Sequence, residues 1–164
     1  IDFREKVLAI TPNDYDSHLT QAIKEVSLRD RPDLAMQHIE KAKNLSKGDG
    51  TWKYSQFYLE IKLNEQEKAL ETLDNIIGQS FDQEIDRVHQ VIAYNHNCLI
   101  KDPNHIQTHF IIGVFLLKKL SNPVSAYEQF EKFIESCDEC GKYNLLVKRA
   151  KSYVDEINPI LGIK

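Results

Sequence analysis

Two cysteines three positions apart, in Cys137-Asp-Glu-Cys140, have the spacing used by zinc knuckles and by thiol–disulfide redox sites. Structural zinc takes four ligands, and Cys98 is the only other cysteine, so no second pair completes such a site. A redox pair of this spacing belongs to a βαβ setting, which this sequence does not supply. The remaining reading is a helix end whose two sulfurs pack as small apolar groups, and that is the expectation. His105 and His109, four apart, could share one helical face as a metal pair. The string His-Ile-Gln-Thr-His lacks the glutamate of the zinc-protease motif, however, and no third ligand is in view. His89 and His96 are expected to face solvent or a neighbouring helix.

No G-x-G-x-x-G, P-loop or G-x-S-x-G motif occurs, and the chain has only six glycines. Carboxylate pairs such as Glu65/Glu67 and Asp138/Glu139 sit near helix starts or turns, where solvated charge is the ordinary role. The expectation is therefore a chain that is not an enzyme, with no cofactor and no metal. Net charge is −4, from 21 basic and 25 acidic residues scattered without a basic stripe, which argues against nucleic acid or an anionic membrane as partner. The longest apolar run, Ile106 to Leu117, is interrupted by Gln107, Thr108 and His109 and is too polar to insert into a bilayer. The start, IDFREKVLAI, is charged throughout and does not resemble a signal peptide. It lacks an initiator Met, as a fragment of a longer chain would. Three cysteines, an odd number, argue against a disulfide framework and for a reducing, cytoplasmic location.

The elements that would position any site are helices. Apolar residues recur at intervals of three and four almost everywhere, and no alternating β-branched run is present. Helices are predicted at 15–29, 32–46, 52–63, 66–77, 83–101, 105–120, 124–136 and 143–157. Pro32 and Pro123 fall where a first turn tolerates a missing N–H. Asn64 with Glu67 has the pattern of a capping pair, and Asn122 is placed to cap the following helix.

One pattern repeats. Ala35/Ile39/Ala42, Ala69/Leu73/Ile76 and Ala126/Phe130/Phe133 share an Ala-x3-apolar-x2-apolar spacing on the second helix of a pair, and the first two copies are 34 residues apart. A period of 34 with paired helices resembles the tetratricopeptide repeat family. The junctions ITPNDYD (10–16) and IKDPNHIQ (100–107) look like that family's, and Gly113 stands at its small first-helix position. The third copy follows the second by 57 residues, so one repeat is irregular. The resemblance implies an all-α, antiparallel helix-pair solenoid, a right-handed superhelix, in a single domain. Its parts would be the tail of a preceding repeat (1–14), repeats at 15–47, 50–80 and 105–138, an irregular single helix (81–103) and a C-terminal capping helix (142–158).

Carried over by position, the family's concave groove would be lined by Thr20, Lys24 and Ser27, then Tyr54, Tyr58 and Ile61, then Ile111, Phe115 and Lys118. Phe57 and Phe110 are expected in the core. The asparagines of the family's carboxylate clamp are missing: Thr20, Gln21 and Lys24 stand at those positions in one repeat and Tyr54, Ser55 and Tyr58 in the next. A chaperone-tail adaptor is therefore not expected. The function implied is a non-catalytic scaffold that binds a peptide or partner protein in the groove. The alternatives are a docking or regulatory domain of a larger enzyme, and a metal or redox site at Cys137 and Cys140.

Overall fold

The computed structural model of the chain describes residues 14–27, 29–46, 50–81, 84–137 and 139–163, with only the backbone of Val26 and Ser27. The expected tail of a preceding repeat lies outside these residues up to position 13. Among the described residues every element is a helix and no strand occurs, so the fold class is all-α. The chain divides into two compact units, Ile1–Asp82 and Gln83–Lys164. The first holds α1 (Tyr15–Ser27), α2 (Pro32–Leu45), α3 (Trp52–Lys62) and α4 (Gln66–Ile77). The second holds α5 (Glu84–Lys101), α6 (Gln107–Lys118), α7 (Pro123–Cys137) and α8 (Asn144–Leu161).

Local chemistry sets the ends. Asp14 Oδ2 accepts the Ser17 N–H at 2.9 Å and caps α1, while Asn122 Oδ1 accepts the Ser125 N–H at 3.2 Å and caps α7. Asn64 does not cap α4. It takes the left-handed conformation (φ 57°), and Glu65 stands at the N-cap without a side-chain capping bond. The reason is that Asn64 closes α3: its N–H reaches Ile61 O at 3.1 Å and the Glu65 N–H reaches Glu60 O at 2.9 Å, the paired bonds of a Schellman turn. Helix α8 runs to Leu161 and not to 157, because Pro159 gives up a single N–H and the next left-handed residue is Gly162 (φ 72°). The last turn is closed there by Ile163 N–H to Asn158 O at 2.9 Å.

The helix-pair turns share one construction. Asp30, Asn64 and Ser121 are the described non-glycine residues with positive φ (51°, 57° and 50°), and each directly precedes the N-cap of a second helix. In each case the N-cap carbonyl accepts the N–H of an alanine: Ala35 from Arg31 at 3.1 Å, Ala69 from Glu65 at 2.9 Å, Ala126 from Asn122 at 3.1 Å. These are the alanines of the repeated motif, and all nine motif residues are buried, none more than 1% exposed.

Packing within each unit is antiparallel between neighbours, α1 on α2, α3 on α4, α6 on α7 and α7 on α8. In the first unit α3 also packs on α1 and α2; in the second α5 packs on α6. Leu146, Ala150, Tyr153 and Ile157 turn inward on α8, with Lys148, Lys151 and Asp155 outside. Rings fill the second core: Phe130 stacks on Tyr153 at 5.4 Å, and Phe110 meets Phe130 at 6.3 Å and Phe133 at 5.6 Å.

Gly113 is placed by that ring network. A Cβ there would lie 2.8 Å from Phe130 Cε1 and 3.0 Å from its Cδ1 and Cζ, and Phe130 is held on its other sides by Phe110 and Tyr153. Alanine is the better helix former by about 1 kcal/mol, while overpacking a fixed core costs about 1–3 kcal/mol. The second effect wins. Gly113→Ala is expected to lower the stability by about 1 kcal/mol in urea denaturation; an unchanged or raised midpoint would mean that Phe130 has room to move.

Candidate functional site

The residues carried over as a groove divide between the two units. In the first, Tyr54, Tyr58 and Ile61 are buried to within 3% of full exposure lost, on the helix that three others cover. Tyr54 meets the Phe81 ring edge-on at 6.1 Å, and the Lys62 ammonium lies over the Tyr58 ring at 5.8 Å. Thr20 turns its hydroxyl back to Asp16 O at 3.0 Å, Lys24 is half-buried on the same helix, and the side chain of Ser27 lies outside the described residues. In the second unit Ile111 and Phe115 are buried, and Lys118 is engaged with Glu156 at 2.7 Å and stands over the Tyr153 ring at 5.3 Å. The aromatic members are packed rather than presented. Phe57 and Phe110 are fully buried, as expected.

What the first unit does present is a polar cleft of about 350 Å³ between α3 and α4. Lys53, Gln56 and Glu60 line it from α3, Lys68, Thr72 and Asn75 from α4, with Trp52 and Glu71 completing it. On each helix these residues are three, four or seven apart, which gathers them on one face. The antiparallel pairing then sets 53 opposite 75 and 56 opposite 72. Lys53 Nζ donates to Asn75 Oδ1 at 2.6 Å and to Gln79 Oε1 at 2.9 Å, and the Thr72 hydroxyl donates to Glu60 Oε1 at 2.6 Å. The indole of Trp52 is flanked by the Lys43 and Lys53 ammonium groups at 5.2 and 5.7 Å from its centroid.

Glu60 is the electrostatic centre of this cleft. It is 7% exposed, and burial raises its pKa above the ordinary carboxylate value, against the hydrogen bonds from Thr72 and Gln56. The sequence analysis did not single out this cleft, because it weighed aromatics as anchors. The available signal was the polar stripe Lys53, Gln56, Glu60 on an otherwise apolar helix.

A second polar cluster lies between α1 and α2. His18 Nδ1 and His38 Nδ1 are 2.9 Å apart with ring centroids at 5.1 Å, so one nitrogen donates and the other accepts. Gln21 Nε2 on α1 and Arg29 Nη1 just past its end both donate to Glu25 Oε1, at 2.9 and 2.8 Å, while Glu25 Oε2 is buried without a hydrogen-bond partner among the described residues.

The cysteine expectation is corrected. Cys137 and Cys140 are joined by a disulfide across the turn from α7 toward α8, where separate packed thiols were expected. An odd cysteine count speaks against a framework of bridges but not against one local bridge between near neighbours. His109 Nδ1 is 2.8 Å from Gln129 Oε1 on α7, and His89 and His96 are exposed. Among the described residues no group of three or more His, Cys, Asp or Glu is arranged to hold a metal ion, and no helix is long and apolar enough to cross a membrane.

Fold and site together define an all-α chain of recurring helix hairpins that carries an open polar cleft. In comparisons with protein-family models, with curated proteins and with solved structures, nothing matches this chain.

The histidine pair makes stability depend on pH. Burial first, then His18 and Lys41, lower the His38 pKa from its ordinary 6.5, against the pull of Glu25. The unfolded chain therefore binds this proton more tightly, so the contribution is full above pH 6.5 and is lost as the pH falls through the folded value. The melting temperature is expected to fall on acidification below that point, and His38→Gln to flatten that part of the curve. An unchanged slope in the variant would remove the pair from the account.

Proposed function

We propose that this chain is a non-catalytic protein-interaction module of tetratricopeptide type, a helix-pair solenoid with α8 as its cap, that holds an extended segment of another protein. The observation that carries the reading is the threefold recurrence of one hairpin, with a left-handed residue before the N-cap and a buried alanine four positions after it. Units built this way stack through neighbour contacts and leave long side-by-side helix surfaces open to a partner. The α3–α4 cleft fits that use. Its amide and hydroxyl groups run along two helices in reach of an extended backbone, and it is open to water. The binding surface is assigned to this cleft and not to Tyr54 and Tyr58, whose burial leaves them to support the helix behind it.

Selection of random dodecapeptides on the immobilised chain, followed by titration of the selected peptides into isotope-labelled protein, tests this. Saturable amide shifts are expected along Lys53–Asn75, and Gln56→Ala or Thr72→Ala should weaken them several-fold with the fold intact. Tyr58→Ala, by contrast, should destabilise the protein by about 3 kcal/mol or more, as truncation of a buried ring does. The reading fails if no peptide binds saturably, or if Tyr58→Ala folds normally and abolishes binding while the cleft variants do nothing.

A further inference from the structure

The α3–α4 cleft has a chemical preference that its shape alone does not state. Glu60 sits in its wall, 7% exposed, accepting the Thr72 hydroxyl at 2.6 Å, with Gln56 Nε2 3.5 Å from that hydroxyl oxygen and, among the described residues, no cation in ion-pair contact. Both lysines of the cleft are engaged elsewhere. Lys53 is seven residues away along α3, about 10 Å, and its ammonium is held by Asn75 and Gln79. Lys68 pairs with Glu65 at 3.4 Å with its side chain 70% exposed. A carboxylate withdrawn from water without a counter-ion is paid for by the fold. A cation that reaches it regains that cost without a further desolvation of the acid.

We propose that the cleft binds a side-chain cation, the ammonium of lysine or guanidinium of arginine in a basic partner segment, with the Glu60 carboxylate as counter-charge. The proposal rests on the interaction-module reading for its partner but not for its chemistry. Thr72 fixes Oε1 of Glu60 by donating to it, so the acid is oriented before the ligand arrives. The Gln56 amide lies next along α3. Lys53 repels a second cation at the Trp52 end and is placed to meet a carbonyl or carboxylate of the same segment. Glu71 adds negative charge to the lining. The chain as a whole, at −4, also favours a basic partner.

The proposal gives binding a pH dependence. The groups that act on Glu60 are Thr72 and Lys68 of α4, Gln56 of its own helix and Glu65 at the turn between them; no charged group of α1 or α2 is among them. A raised carboxyl pKa means that binding strengthens as the pH rises and the acid loses its proton, and weakens as the pH falls back toward 4.5.

The test is titration of acetyl-Gly-Arg-Gly-amide, acetyl-Gly-Lys-Gly-amide and the uncharged norleucine analogue into isotope-labelled protein, read by amide shifts. Both cationic peptides are expected to saturate, with Kd on the order of millimolar and shifts centred on Glu60 and Thr72. The norleucine peptide should leave those positions unmoved. Glu60→Gln, which keeps an acceptor for Thr72, should weaken binding at least about tenfold and abolish its pH dependence. Lys68→Gln alters an exposed side chain, so it keeps the test decisive should Glu60→Gln fold poorly; it is expected to strengthen binding a few-fold. Equal shifts with norleucine, unweakened binding to Glu60→Gln, or weaker binding to Lys68→Gln would each overturn the proposal. Its failure is separable from that of the module reading. Selected dodecapeptides that bind the cleft without a basic residue would sink the cation site alone, whereas cationic tripeptides that bind at Glu60 when no longer peptide binds would sink the module alone.

Discussion

Three helix pairs, α1–α2, α3–α4 and α6–α7, depend on one backbone conformation, a single non-glycine residue in the left-handed region just before the second helix's N-cap. Such a residue costs roughly 1–2 kcal/mol when it carries a Cβ. The positions hold Asp30, Asn64 and Ser121, short polar residues that hydrogen-bond locally and tolerate this region better than most. The reversal lets the N-cap N–H return to the end of the first helix, at Glu25, Glu60 or Leu116. With the chain reversed in so few residues, the fourth position of the second helix is pressed against the first helix. Only a small side chain fits that approach, and Ala35, Ala69 and Ala126 stand there with no exposed surface. The repeated sequence motif is thus the downstream consequence of a turn that the motif itself does not contain.

That order of cause explains what could be read in advance. Helix existence followed from apolar spacing and breakers, and most predicted ends lie within two residues of those observed. Asn64 was legible as punctuation but not as to its role, because an asparagine between helices serves either as an N-cap or as a left-handed closer. Which one depends on whether the preceding helix can place its carbonyls, a fact about three-dimensional reach. Likewise Pro159 reads as a stop, yet a proline in a last turn gives up one N–H only and the helix continues to the next residue that can turn left.

The polar cleft was less legible, for a reason visible in α3 and α6. Both helices are apolar around most of their circumference, Tyr54, Phe57, Tyr58, Leu59 and Ile61 on one and Phe110 to Phe115 on the other. A helix of that composition is covered on most sides, and both are packed by their neighbours on either hand. The amphipathic helices beside them do the covering, α1, α2 and α4 on α3 and α5 and α7 on α6. Aromatic residues on a covered helix are core before they are anchors. What such a helix leaves to solvent is its polar minority, and on α3 Lys53 and Gln56 are half-exposed while Glu60 of the same stripe is buried in the cleft wall.

The two units store their polar groups differently. His18, Gln21, Glu25 and Glu60 are buried in the first; in the second Asn95, Gln107 and Thr108 are buried, and the withdrawn charges of Lys119 and Glu84 answer each other at 2.6 Å, with side chains 6% and 11% exposed. The second unit instead closes on rings, from Phe110 through Phe130 and Phe133 to Tyr143 and Tyr153. A buried carboxylate or imidazole costs stability that a similar apolar side chain would not, and it returns something only when its charge is answered by a proton or a ligand. In the first unit those groups lie where helices meet, so a change of charge at Glu60 is felt on both walls of the cleft at once through Thr72.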